Sequence, residues 1–143
     1  MSGGFSMKTT AAALLVVTSM TAQAAEPETL TLACKGTTTL DLGYEGAKPE
    51  PISMGIVINF SAGTVQGFGN PGALDYPVKI TGANEVTIAF YGSHDVMGSS
   101  IRGGIDRVTG DVDATSMVYD TKTSKIISQD TYALKCRPTQ RMF

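Results

Sequence analysis

The chain is expected to fold as an all-β domain, a small antiparallel up-and-down barrel or sandwich of about eight strands, closed by one disulfide. Three observations predict it. Apolar residues alternate with polar ones in short runs, 16 glycines and 6 prolines punctuate those runs, and no stretch beyond residue 24 carries a convincing helical repeat. The 143 residues suffice for a single core of modest size.

The first element is an address. Met7-Lys8-Thr9-Thr10 brings one positive charge, residues 11–20 are apolar, and Ala22 and Ala24 supply the small residues of a cleavage site, so residues 1–24 read as a secretory signal peptide. The apolar run is too short to cross a bilayer and is followed by Glu26 and Glu28, which leaves no transmembrane segment in the mature chain. Met1 and Met7 are both candidate starts. Thr31-Leu32-Ala33 before Cys34 does not resemble the small-residue motif of a lipoprotein signal. The expected location is the periplasm or the medium, as a monomer, with residues 25–143 forming a single β domain of bacterial type.

Within that domain the strands are expected at Leu30 to Gly36, Met54 to Phe60, Thr64 to Phe68, Tyr76 to Thr81, Glu85 to Tyr91, Ser100 to Arg107, Asp111 to Tyr119 and Ile126 to Cys136. Their inward sets are Leu30/Leu32, Met54/Ile56/Ile58/Phe60, Tyr76/Val78/Ile80, Val86/Ile88/Phe90, Ile101/Ile105, Val112/Ala114/Val118 and Tyr132/Leu134. Two longer loops remain. The prolines of Thr37 to Ser53 keep that segment out of a central strand, and Gly67 to Asp75 is glycine-rich. Loops of this kind carry function more often than strands do.

The two cysteines, in an exported chain, read as a structural disulfide between Cys34 and Cys136. Such a bridge closes a loop of about 103 residues, for which the chain-entropy model gives roughly 4 to 5 kcal/mol. Each cysteine shares the parity of its large apolar neighbours, Leu30 and Leu32 for one and Tyr132 and Leu134 for the other, so both sulfurs face inward. First and last strands lying side by side would satisfy this; so would two stacked sheets.

One hairpin can be read at the level of register. With Val108 and Thr109 at its tip, Ile105 faces Val112, Gly103 faces Ala114 and Ile101 faces Ser116, while Asp106 meets Asp111 outside, where like charges repel unless a cation such as Arg107 intervenes. A two-residue slip, with Arg102 opposite Asp113, preserves the faces equally.

The chemistry-bearing residues are few. One histidine, two cysteines and a net charge of −2, or −3 without Lys8, argue against a dense metal or nucleophile site and against general nucleic-acid binding. Gly67-Phe68-Gly69-Asn70-Pro71-Gly72 spells a dinucleotide fingerprint, but no helix follows it, and it reads as a turn. Asp106, Asp111 and Asp113 form a candidate surface or cation site without the spacing of a calcium loop. His94-Asp95 is the only place for a histidine-based acid or base, and no nucleophile elbow accompanies it. No catalytic residue, metal or cofactor is therefore assigned. The C-terminal Lys135, Arg137 and Arg141 add a small basic tail.

The segments Ile105-Asp106-Arg107-Val108-Thr109-Gly110 and Tyr132 through Gln140, with Leu32-Ala33-Cys34-Lys35-Gly36, resemble small exported proteins of rhizobium-type alphaproteobacteria. That resemblance implies origin and export and transfers no activity. A second, weaker likeness, in size and disulfide-braced meander alone, is to the periplasmic inhibitors of c-type lysozyme; Gly98-Ser99-Ser100 and Thr121-Lys122-Thr123 depart from their inhibitory loops. The functional expectation is a non-enzymatic binding or accessory domain that meets a protein or small ligand through its loops. The alternatives are an inhibitor of a hydrolase such as lysozyme, or a small hydrolase using the aspartates and His94.

Overall fold

A computed structural model of the chain describes residues 27–68, 76–96 and 98–140. The expected signal segment and most of the glycine-rich Gly67 to Asp75 stretch lie outside the described residues. The chain runs through β1 (Thr29–Asp41), β2 (Glu50–Asn59), β3 (Thr64–Gln66), β4 (Val78–Ala83), β5 (Thr87–His94), β6 (Ser99–Asp106), β7 (Asp111–Tyr119) and β8 (Ile126–Thr139). All eight pair antiparallel with their sequence neighbours, and β8 returns to β1, so the sheet is a closed barrel rather than a sandwich.

Closure rests on the longest ladder. Eleven residue pairs join β1 to β8, from Thr31↔Thr139 to Asp41↔Gln129, with Cys34 directly opposite Cys136. Their Cα atoms are 4.0 Å apart, the close spacing of a pair that exchanges no backbone hydrogen bonds, and the disulfide joins them. Cys136 N–H instead donates to Gly110 carbonyl oxygen at 2.7 Å, tying the same rung to the β6–β7 turn.

An eight-stranded barrel is just wide enough for side chains to fill it. Here Cys34, Ile56, Ile58, Ile88, Phe90, Ile101 and Val112 are at most 2% exposed and belong to one cluster drawn from all eight strands and the segment after β3. Phe68 stacks on Phe90 at 5.2 Å between centroids and meets Tyr132 edge-on at 5.5 Å. Gly103 makes room for this aromatic group: a Cβ there would lie 2.4 Å from Phe90 Cζ and 2.6 Å from the Asp113 carbonyl oxygen. The outer face carries Lys35, Lys79, Arg102, Asp111 and Asp113, which is the inverse of the apolar band of a membrane-spanning barrel. Among the described residues no helix is long and apolar enough to cross a membrane.

Four details correct the sequence reading. Val86 does not face inward and is 52% exposed, because Asn84 Oδ1 accepts from both Val86 N–H and Thr87 N–H and holds Val86 in the turn before β5. Val118 keeps the inward parity but is 40% exposed, since it lies at the barrel end beside a register shift. The third strand stops at Gln66: Gly67 takes a φ of 124°, which breaks the alternation and turns Phe68 into the core. Finally, Pro51 does belong to a strand, opposite Thr37. It is tolerated because β2 pairs with β3 only over Val57 to Asn59, so beside Pro51 no β3 residue needs a donor.

The β6–β7 hairpin adopts the first of the two registers, with Ile105↔Val112, Gly103↔Ala114 and Ile101↔Ser116.

Candidate functional site: one mouth of the barrel

Strand directions place the segments after β1, β3, β5 and β7 at one end of the barrel. Toward this end the inward positions change character. Below it they are mainly Ile, Val, Leu and Phe; at it they include the polar His94, Ser99, Ser116, Ser128 and Asp130, paired in register as His94↔Ser99 and Ser116↔Asp130. Ser99 is buried, and burial pushes the Asp130 carboxyl above the ordinary carboxylate range. Burial likewise raises the Tyr132 phenol, and the Asp130 charge adds to it. Tyr76 packs its ring against His94, with centroids 6.2 Å apart. Its buried hydroxyl finds no hydrogen-bond partner of good geometry; burial raises the phenol, and the nearby Ser99 hydroxyl offsets part of that rise.

The rim of this mouth is apolar. Among the described residues ten large hydrophobic side chains are exposed, and seven of them are here: Leu40, Leu42, Tyr44, Val96, Val118, Ile126 and Ile127. They follow one another around the barrel, from the β5–β6 turn through the ends of β7 and β8 to the end of β1 and the loop beyond it. Of the other three, Val86 and Val108 lie at the opposite end and Tyr91 on the outer wall.

Of the residues singled out by sequence, His94 lies at this mouth, whereas Asp106, Asp111 and Asp113 do not. Along β6, Ser99 opposes His94 and Asp106 opposes Thr87, seven residues away, so His94 and Asp106 lie about 23 Å apart along the strand. The histidine and the aspartates therefore form no shared acid–base centre. The aspartates also have work of their own. Asp106 Oδ1 accepts from Thr109 N–H at 2.9 Å and Val108 N–H at 2.8 Å, and those two bonds lower its pKa. Asp111 Oδ1 accepts from Lys135 Nζ at 2.8 Å, and its other oxygen accepts from Thr109 Oγ1; the Lys135 ammonium is the main cause of its lowered pKa. Lys135 from β8 thus neutralises Asp111. Arg107 donates to the Asn84 carbonyl oxygen and lies over the Phe60 ring. Asp113 sits between Gly104 and Ala133 on the outer wall. Among the described residues, no group of three or more His, Cys, Asp or Glu side chains is arranged to hold a metal ion.

A second concavity lies on the outer wall, where β2, β1 and β8 run side by side. It has a volume of about 770 Å³, a floor of Ala33 opposite Gly55, and Lys35, Lys135 and Arg137 around it.

Sequence reasoning placed Ser116 opposite Ile101 and named Lys135 and Arg137 as a basic group, but it missed that Ser99, Ser128 and Asp130 continue the inward row and that Lys35 joins the outer cations. The parity that marked Ile101 and Ala114 continues to Ser116 and Asp130, and this continuation was the available signal. Compared with known proteins, the chain matches no family model, no curated protein and no solved structure.

Proposed function

We propose that this chain is an exported, non-enzymatic binding or accessory domain that engages a partner protein through the loops at the apolar-rimmed mouth. The observation that carries the reading is the gathering of Leu40, Leu42, Tyr44, Val96, Val118, Ile126 and Ile127 at one end, where they bury little within the fold. Exposed apolar surface collected in one place marks an interaction site, because folding alone gives no reason to concentrate it. A protein partner is favoured over a carried small molecule because the interior is occupied by its own side chains. Export to the periplasm or medium fits the signal-like residues 1–24 and a disulfide at the closure rung.

The test compares two sets of surface variants used as bait in envelope extract of the native host. One carries Leu42→Ser, Tyr44→Ser and Ile127→Ser; the other carries Val86→Ser and Val108→Ser. All five side chains are at least 41% exposed, so each set should fold normally. The reading requires a retained partner that the first set loses by tenfold or more and the second set keeps. Equal retention by both sets would refute it.

A further inference from the structure

We infer that the outer furrow across β2, β1 and β8 is a docking site for an extended acidic peptide segment of a partner protein. Its floor is the Ala33↔Gly55 pair, so β1 and β2 are bare of large side chains along one rung, and the β8 position of that rung is Arg137. Lys35 and Lys135 stand directly opposite each other across β1 and β8, and Arg137 lies two residues further along β8 on the same face. Like charges placed opposite each other destabilise a sheet. Lys135 is drawn away toward Asp111, on the β7 side. Among the described residues, neither Lys35 nor Arg137 has a hydrogen bond or ion pair, and no acidic side chain lines the furrow.

This cluster sits on a chain whose net charge is −2, so its sign is local rather than a property of the whole surface. An incoming anion relieves the Lys35/Lys135 repulsion and pairs the two unengaged cations. The shape selects among anions. Small floor residues and the methyls of Thr31 and Thr139 suit a narrow backbone bearing carboxylates. A flat lipid surface does not enter a furrow, and a nucleic acid requires many more cations than three. The site is separate from the apolar mouth, since Ala33 and Leu40 are seven residues apart along β1, about 23 Å.

The experiment is fluorescence anisotropy of a labelled oligoglutamate peptide with the full disulfide-bonded chain at low salt. Binding is expected, weakened by raising the ionic strength to roughly 0.3 M, and weakened about tenfold in the Lys35→Gln/Arg137→Gln variant. A Lys79→Gln/Arg102→Gln variant removes two exposed cations from other strands and should bind as the parent does. Thermal melts check folding: the Lys35→Gln change should leave the midpoint unchanged or raise it, because it removes a repulsion. Four results would each overturn the assignment: no oligoglutamate binding, undiminished binding by the Lys35/Arg137 variant, equal loss in the two double variants, or binding of anionic phospholipid vesicles in place of the peptide.

Discussion

Reducing the disulfide, or replacing both cysteines by alanine, should remove a large share of the stability. The bond joins residues 102 positions apart and so closes nearly the whole folded chain into a loop. For a loop of about 103 residues the entropy removed from the unfolded ensemble amounts to about 4.7 kcal/mol at 25 °C. The native state loses little by comparison, because the eleven-pair β1–β8 ladder still closes the barrel without the sulfurs. For roughly 115 folded residues, unfolding entropy of about 0.24 kcal/mol/K converts that figure into a drop of about 20 °C in Tm. Urea unfolding of the oxidised and reduced chains, with fluorescence and circular dichroism as independent probes, gives the difference directly. A loss of 3–5 kcal/mol agrees with the reasoning. A loss below about 1 kcal/mol would refute it and show that the unfolded ensemble already holds its ends together.

Other outcomes follow from single positions. Gly103→Ala should cost about 1–3 kcal/mol, since the new Cβ meets Phe90 Cζ and two β7 atoms within 3 Å; Gly104→Ala, with its nearest neighbour at 3.9 Å, should stay within about 0.5 kcal/mol of the parent in the same urea assay. Ser124 holds a φ of 57° at the position of the β7–β8 turn that Gly110 fills in the β6–β7 turn, so Ser124→Gly should raise stability by about 0.5–1 kcal/mol. Asp106, Asp111 and Asp120 have lowered pKa values, so their contribution is present above the ordinary carboxylate range and is lost as the pH falls through those lowered values. Asp130 has the opposite sign. Burial raises its pKa, its ionised form opposes folding, and Asp130→Asn should raise the urea midpoint at neutral pH while making no difference below pH of about 3.

The sequence made the architecture legible because the interior demands one apolar residue in two. Leu32, Cys34, Ile56, Ile58, Ile88, Phe90, Ile101, Ile105, Val112, Ala114, Tyr132 and Leu134 all lie in the core with the expected parity. The turns are closed by side-chain oxygens that the sequence reading did not single out for this role. Asn84, Asp106 and Asp120 each close a hairpin by accepting two backbone N–H groups, and Asn59 accepts one at the β2–β3 turn. The errors came where a local backbone feature overrides alternation. Gly67 with positive φ sends Phe68 inward, the Asn84 turn takes Val86 out of its strand, and the short β3 leaves Pro51 without a neighbour on the β3 side. The candidate sites were harder, because they depend on which strands become neighbours. Lys35 and Lys135 are a hundred residues apart in sequence and share a rung only because the barrel closes. Likewise the apolar rim is assembled from three separate segments, each with no more than a few exposed hydrophobic residues of its own.

The most direct test of binding at the mouth is hydrogen exchange followed by mass spectrometry, with the disulfide-bonded chain alone and then with partner-containing envelope extract of the native host. Added protection is expected in residues 40–49, 95–98 and 118–127, with the turns at 84–86 and 107–110 unchanged. Protection confined to those two turns, or no change at the mouth when a partner is retained, would contradict it.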